Sequence, residues 1–128
     1  MKNSAGLKKV SVNATNPGVS SLKTLVKDIL HGRERLVEPG LSVFTLPDGT
    51  IFEFYGIGSH FPDYLFSHSD IVNSYQVPDL HSAFEKLEKH GATLLGKVVH
   101  MAASCSYCHI SLKDGNVIGL FQNDEEMV

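Results

Sequence analysis

On chemical grounds Glu53 is the first residue to question. It stands inside Ile51-Phe52-Glu53-Phe54-Tyr55, a run of otherwise apolar and aromatic residues. A carboxylate on an apolar strand face costs free energy unless something pairs with it, and in semi-apolar surroundings it is a candidate base, acid or ligand contact. The second cluster is Cys105-Ser106-Tyr107-Cys108-His109, which has the C-x-x-C-H spacing of covalent haem attachment. That reading fails on two counts. The N-terminus offers no apolar export segment, and the cluster reads as a strand, where residues three apart face opposite sides and cannot grip one haem or one zinc. Alternation instead sends Ser106, Cys108 and Ile110 to one side and Cys105, Tyr107 and His109 to the other. Cys108 and Ile110 suit a core, so Tyr107 and His109 are directed to the open face. There His109 is a candidate general acid or base or a ligand contact. His100, on the preceding strand, could join it. The remaining histidines show no metal-binding spacing: His31 and His90 end helices, where a cation favours the dipole, and His60, His68 and His81 lie in or near connectors.

These residues must be held by a repeated framework. Leu46-Pro47-Asp48-Gly49-Thr50-Ile51-Phe52-Glu53-Phe54-Tyr55 reappears as Leu112-Lys113-Asp114-Gly115-Asn116-Val117-Ile118-Gly119-Leu120-Phe121. Each copy reads as a strand end, an Asp-Gly turn and a returning strand, and the offset of about half the chain marks a duplicated module. Glu53 in one copy corresponds to Gly119 in the other.

The elements around the hairpins follow the same order twice. Val10, Val12 and Ala14 alternate as a half-buried strand, which Asn16-Pro17-Gly18 breaks. Leu22, Leu25, Val26, Ile29 and Leu30 follow at helical spacing, with Ser20 or Ser21 as N-cap and Gly32 as stop. Strands are predicted near Arg35–Val37, over Leu41–Leu46 and over Thr50–Gly56. In the second half, Ile71–Val77 is a strand. Pro78-Asp79 opens a helix with Leu80, Ala83, Phe84 and Leu87 on one face, and Gly91 ends it. Strands near Thr93–Met101, Ser104–Leu112 and Asn116–Gln122 complete the set. The chain is thus a single α+β domain over 1–128, with one β-α-β-β-β module at about 7–56, a linker at 57–69 and a second module at about 70–123. Neither module can cover both faces of its sheet alone. Side by side, the two would form a curved mixed sheet around a cleft, with helices outside.

Composition narrows the function. The 128 residues are 42% hydrophobic and 20% charged, too apolar for a disordered chain and ordinary for a globular one. Net charge is −3 with Lys and Arg scattered, which predicts no nucleic-acid partner. The acidic excess sits in the C-terminal half, ending in Asp124-Glu125-Glu126, read as a solvated tail. No apolar run is long enough to span a bilayer, so no membrane association is expected and the cytoplasm is the expected compartment. Two cysteines in one short segment do not make a disulfide framework.

The module order, with an Asp-Gly hairpin near the end of each, resembles the vicinal oxygen chelate superfamily, which includes glyoxalase I, extradiol dioxygenases, fosfomycin-resistance thiol transferases and bleomycin-binding proteins. The resemblance covers essentially the whole chain and is carried best by Tyr75-Gln76-Val77-Pro78-Asp79-Leu80 with its helix, and by Leu112 to Gln122. It identifies a fold that hosts many chemistries. Metal-using members place His or Gln, Glu, His and Glu in the cup. The resemblance puts those positions on Lys9, Glu53, Val72 and Gly119, of which only Glu53 is a comfortable ligand. It therefore implies no family metal site and no cofactor. It also implies that Lys9 and Glu53 share the cavity, where Glu53 either pairs with Lys9 or serves binding or proton transfer. Gly119 is expected to leave room where metal-binding relatives place a ligand.

The expected function is binding of a small organic molecule, in the manner of the bleomycin-binding members. Its expected contacts are Lys9, Ile51, Glu53, Tyr55, Val72, Ser74, Tyr107, His109, Gly119 and Phe121, with Val117 also lining the cup. One rival is a divergent lyase, isomerase or thiol transferase using Glu53 with an unconventional partner such as His109. The other is a non-catalytic interaction protein whose filled cup serves as a dimer interface. A homodimer is expected from the resemblance and from sheet edges that need cover.

Overall fold

A computed structural model describes residues 5–15, 19–101 and 105–123. The break expected at Asn16-Pro17-Gly18, the start of a strand at Ser104 and the Asp124-Glu125-Glu126 tail lie outside them. The elements are β1 (Gly6–Asn13), α1 (Ser20–Thr24) running into a π-helical turn (Leu25–Ile29), β2 (Arg33–Glu38), β3 (Leu41–Thr45) and β4 (Ile51–Tyr55). They continue as β5 (Ile71–Gln76), α2 (Leu80–Glu88), β6 (Thr93–Met101), β7 (Cys105–Ser111) and β8 (Val117–Asn123). This is β-α-β-β-β twice. No helix among the described residues is long and apolar enough to cross a membrane.

The chain divides into two compact units, the first spanning Lys8–Val72 and the second built on the chain from Asn73 onward. In the first, the strand order is β2-β3-β4-β1, with β4 antiparallel to β3 and parallel to β1. In the second it is β5-β8-β7-β6, with β8 antiparallel to β7 and parallel to β5. The topologies are the same, as the duplicated hairpins require.

The hairpins match bond for bond. Leu46 N–H donates to Thr50 O at 2.8 Å and Gly49 N–H to Leu46 O at 2.9 Å; Leu112 N–H donates to Asn116 O at 2.8 Å and Gly115 N–H to Leu112 O at 2.9 Å. The aspartates act alike, Asp48 Oδ1 accepting from Thr50 N–H and Asp114 Oδ1 from Asn116 N–H, both at 2.9 Å. Gly49 and Gly115 take φ of +92° and +95°, which an L side chain resists. The Thr50 backbone N–H, and then its side chain, hold the Asp48 carboxyl below the ordinary aspartate range. Stability from that bond is present above the range and lost as pH falls through the lowered value.

Each unit closes its own core. In the first, Val10, Val12, Val26, Phe44 and Phe54 are buried together, Phe44 and Phe54 meeting edge to face at 5.7 Å between centroids. In the second, Leu80, Ala92, Cys108, Ile110 and Leu120 form the cluster, with Ala83, Phe84 and Leu87 of α2 packed against it. The helix opens at Pro78-Asp79 as expected, and Asp79 caps it, accepting from Ser82 N–H at 3.1 Å. Gln122 Oε1 takes a second N-terminal amide, that of Leu80, at 2.8 Å.

The first helix departs from expectation. Neither Ser20 nor Ser21 caps it: the N-cap residue is Val19, and no side chain bonds the free amides. From Leu25 the turn widens, Leu30 N–H reaching back five residues to Leu25 O at 2.9 Å. The extra residue rotates the apolar stripe off the sheet. Val26 alone is fully buried, while Leu25, Ile29 and Leu30 face solvent, Ile29 at 62%. The helix end also differs from its counterpart. Gly91 takes the left-handed turn after α2 with φ +98°, but in the first unit His31 takes it, at φ +59°. Gly32 is needed for space, because a Cβ there would meet Val26 O at 3.0 Å and Phe44 Cβ at 3.2 Å.

Equivalent turns should respond equally to the same insult. Gly49→Ala and Gly115→Ala are each expected to cost about 1–2 kcal/mol, the penalty for an L residue held left-handed. Urea unfolding of the two variants would show it, and a large disparity between them would count against the equivalence.

Candidate functional site

In the first unit, strand alternation and register decide which side chains meet. Val10 and Val12 pair with Phe52 and Phe54 on the core face, while Lys9, Ser11 and Asn13 pair with Ile51, Glu53 and Tyr55 on the other. The parallel register sets Ser11 directly beside Glu53. Ser11 Oγ donates to Glu53 Oε1 at 3.0 Å, and the Tyr55 hydroxyl donates to the same oxygen at 2.9 Å. Lys9 Nζ lies 3.5 Å from it, the two side chains being 29% and 16% exposed. The Lys9–Glu53 ion pair, one of the two readings left open for Glu53, is present, and Lys9 is one of three donors on one atom. Charge-assisted hydrogen bonds of this kind stabilise a sheltered carboxylate.

The second oxygen is the informative one. Among the described residues Oε2 accepts from none of these donors, and no buried side-chain oxygen or nitrogen lacks a partner. The three donors thus converge on Oε1 and leave Oε2 as the oxygen they do not occupy, on a side chain 16% exposed. Its orientation depends on Tyr55, whose ring is wedged by Phe61 at 5.6 Å and Phe66 at 5.8 Å, themselves in edge contact at 5.0 Å. Both phenylalanines come from the connector after β4. Leu65 beside them is buried at 2% exposure. The connector also lies against Gly40, where a Cβ would collide with Ile57 O and Ser59 N. Ser11, Phe61 and Phe66 are the site residues that sequence reasoning missed. The aromatic richness of the connector was the signal for two of them, whereas Ser11 follows only from the register of two distant strands.

The second unit builds the equivalent position differently. Gly119 pairs with Ser74 of β5 and His109 of β7, and Phe121 with Gln76 and Tyr107. Tyr107 and His109 share one face of β7, their rings meeting edge to face at 6.0 Å, while Cys108 and Ile110 enter the core. Both assignments agree with the alternation read from sequence. The vacancy expected at Gly119 is absent. A Cβ built there would fall on Ser74 Oγ, with His109 Cδ2 at 3.5 Å, so Ser74 has taken the space. Ser74 and Val72 are closed to solvent, at 3% and 1% exposure, and Val117 is buried.

His100 does not join His109. It pairs with Ser106 across β6 and β7, on the opposite face from Tyr107 and His109, with Nδ1 2.8 Å from Ser106 Oγ. Burial pushes the Cys108 thiol up, which makes it a poor nucleophile or ligand. Among the described residues no three His, Cys, Asp or Glu side chains converge as a metal-binding group. Glu53 belongs to the first unit and His109 to the second.

No family model matches the chain, and no curated protein matches it. Solved structures do. A glyoxalase/bleomycin resistance protein/dioxygenase superfamily member from Vibrio splendidus is 15% identical, with 94% of this chain covering 99% of that one at a TM-score of 0.61. Methylmalonyl-CoA epimerase from Mycobacterium tuberculosis is 18% identical, the match covering 92% of this chain and 87% of that one at 0.57. A methylmalonyl-CoA epimerase in complex with methylmalonyl-CoA and ammonium is 10% identical, over 96% and 97%, at 0.58. At such identities the likeness is one of fold. The chain has the vicinal oxygen chelate fold that the sequence resemblance predicted.

The packing at Gly119 can be tested by a cycle. Gly119→Ala alone should destabilise by about 1–3 kcal/mol through overpacking. In a Ser74→Gly background the same substitution should cost much less, because the obstructing hydroxymethyl is gone. Additive losses in thermal unfolding would show that Ser74 is not what fills the position.

Proposed function

We propose that this chain binds a small organic molecule through the Glu53 face of its first unit, without a resident metal. The observation that carries the reading is the divided carboxylate. Ser11, Tyr55 and Lys9 fix Oε1, leaving Oε2 as an oriented acceptor for a ligand's N–H or O–H. Ile51 and Tyr55 flank it on the same strand face, giving the mixture of apolar wall and few polar groups usual for small-molecule sites.

The metal that metal-using members of the fold family carry does not suit these residues. The Lys9 ammonium stands 3.5 Å from the carboxylate that would be the ligand, and a fixed cation there repels a second one. Val72 and Gly119 carry no donor atom. Lys9 thus supplies the positive charge that balances Glu53. On the second unit by itself, Tyr107, His109 and Phe121 share a strand face and are proposed as ligand contacts of that unit. Assembly as a homodimer belongs to the same proposal, and light scattering of the purified protein giving a strict monomer would remove it.

Glu53→Gln is expected to weaken small aromatic amines and other donor-bearing ligands by about 1–3 kcal/mol, the cost of losing a charged hydrogen-bond partner. The fold should survive, since the Asp48-Gly49 turn and the core face of β4 are untouched. Thermal-shift and calorimetric screens of the parent and variant would measure it. Unchanged responses would move the site off this face. Elemental analysis finding about one divalent transition metal per chain, lost in Glu53→Gln, would overturn the metal-free reading. Turnover of a screened compound that Glu53→Gln abolishes would favour the lyase, isomerase or thiol-transferase rival.

A further inference from the structure

The same sheet face carries a second cluster, at its β2 edge. A solvent-open cavity of about 310 Å³ is lined by His31, Arg33, Arg35, Thr45, Leu46 and Pro47. Its cationic side is a product of alternation. Arg33 and Arg35 are two residues apart on β2 and pair with Thr45 and Val43 of β3, which pair in turn with Ile51 and Glu53 of β4. Glu34, between the two arginines, is sent to the opposite face. Neither guanidinium makes a salt bridge or hydrogen bond through its side chain among the described residues. Both arginines are exposed, and together they put two positive charges on one cavity wall of a chain whose net charge is −3.

His31 sharpens the case. It holds φ +59° between the helix and β2, a conformation that costs an L residue about 1–2 kcal/mol and that glycine would adopt freely. The chain instead carries an imidazole there, and His31 lines the same cavity as the two arginines.

We propose that this cavity binds a phosphoryl group of a small soluble molecule. Guanidinium forks match the oxygens of a phosphate bidentately, which a lysine ammonium cannot do. Thr45 supplies a hydroxyl donor beside them, and Leu46 and Pro47 form an apolar wall for the group that bears the phosphate. Glu53 is two strands away on the same face, about 10 Å by strand spacing, with Val43 between. Its charge is already engaged by Lys9, so it does not neutralise the arginines. The proposal stands whether or not Glu53 contacts a ligand.

Phenyl phosphate is a suitable probe, titrated calorimetrically into the full chain beside inorganic phosphate, benzoate and vesicles containing phosphatidic acid. Saturable binding of phenyl phosphate at one site per chain is expected, tighter than benzoate. The double variant Arg33→Gln/Arg35→Gln should weaken it about tenfold or more, a loss of about 1.4 kcal/mol or greater. Arg35→Lys, which keeps the charge and loses the fork, should fall between. Lys97→Gln, which removes one charge from β6, should leave binding unchanged. Circular dichroism checks that the exposed-arginine variants fold. Equal loss in Lys97→Gln, binding of the vesicles without binding of phenyl phosphate, or no saturable binding of either phosphate would each overturn the proposal.

Discussion

One oxygen atom organises the first unit. Glu53 Oε1 takes a hydroxyl from β1, a phenol from its own strand and an ammonium from β1. Neither of the two β1 donors reaches it unless β1 and β4 hold their parallel register. A slip of one residue would put Ser11 on the core face and a valine beside the carboxylate. The register is in turn fixed from the other side of the sheet, where Val10, Val12 and Phe54 interlock with Phe44 and Val26. Core packing and site electrostatics are therefore one constraint seen from two faces.

The second unit shows what happens when the charge is removed from the same framework. Register equates Ser11 with Ser74, Glu53 with Gly119, Lys9 with Val72 and Tyr55 with Phe121. The differences are concerted. Without a carboxylate there is nothing for an ammonium or a phenol to serve, and valine and phenylalanine stand where those groups were. The serine persists in both units with opposite roles. Ser11 donates to a carboxylate, whereas Ser74 fills the volume that a side chain at Gly119 would have claimed. One position is stabilised by hydrogen bonding and its counterpart by close packing.

Much of this was legible in the sequence because it is local. Asp-Gly turns, the opening of α2 at Pro78-Asp79 and the alternation along Cys105–Ile110 each depend on neighbours within a few residues, and each appears where the pattern placed it. What could not be read is non-local or depends on one inserted residue. Ser11 beside Glu53 follows from a parallel pairing of strands 42 residues apart, and no local periodicity encodes that register. Ser74 over Gly119 is a matter of volume. The apolar stripe of the first helix fits a period of 3.6 residues per turn, but the wide turn at Leu25–Ile29 breaks that period and leaves Leu25, Ile29 and Leu30 outside.

That wide turn has a consequence in time. A helix held to its sheet by one fully buried side chain, Val26, and left without a side-chain cap has little free energy opposing its local opening. Its counterpart α2 is capped at two amides by Asp79 and Gln122 and anchored by Leu80. The two halves of one duplicated architecture therefore breathe at different rates, and amide hydrogens along Leu22–Ile29 should exchange with solvent well before those of Ala83–Glu88. The half that carries the charged face is the half whose helical cover is the looser.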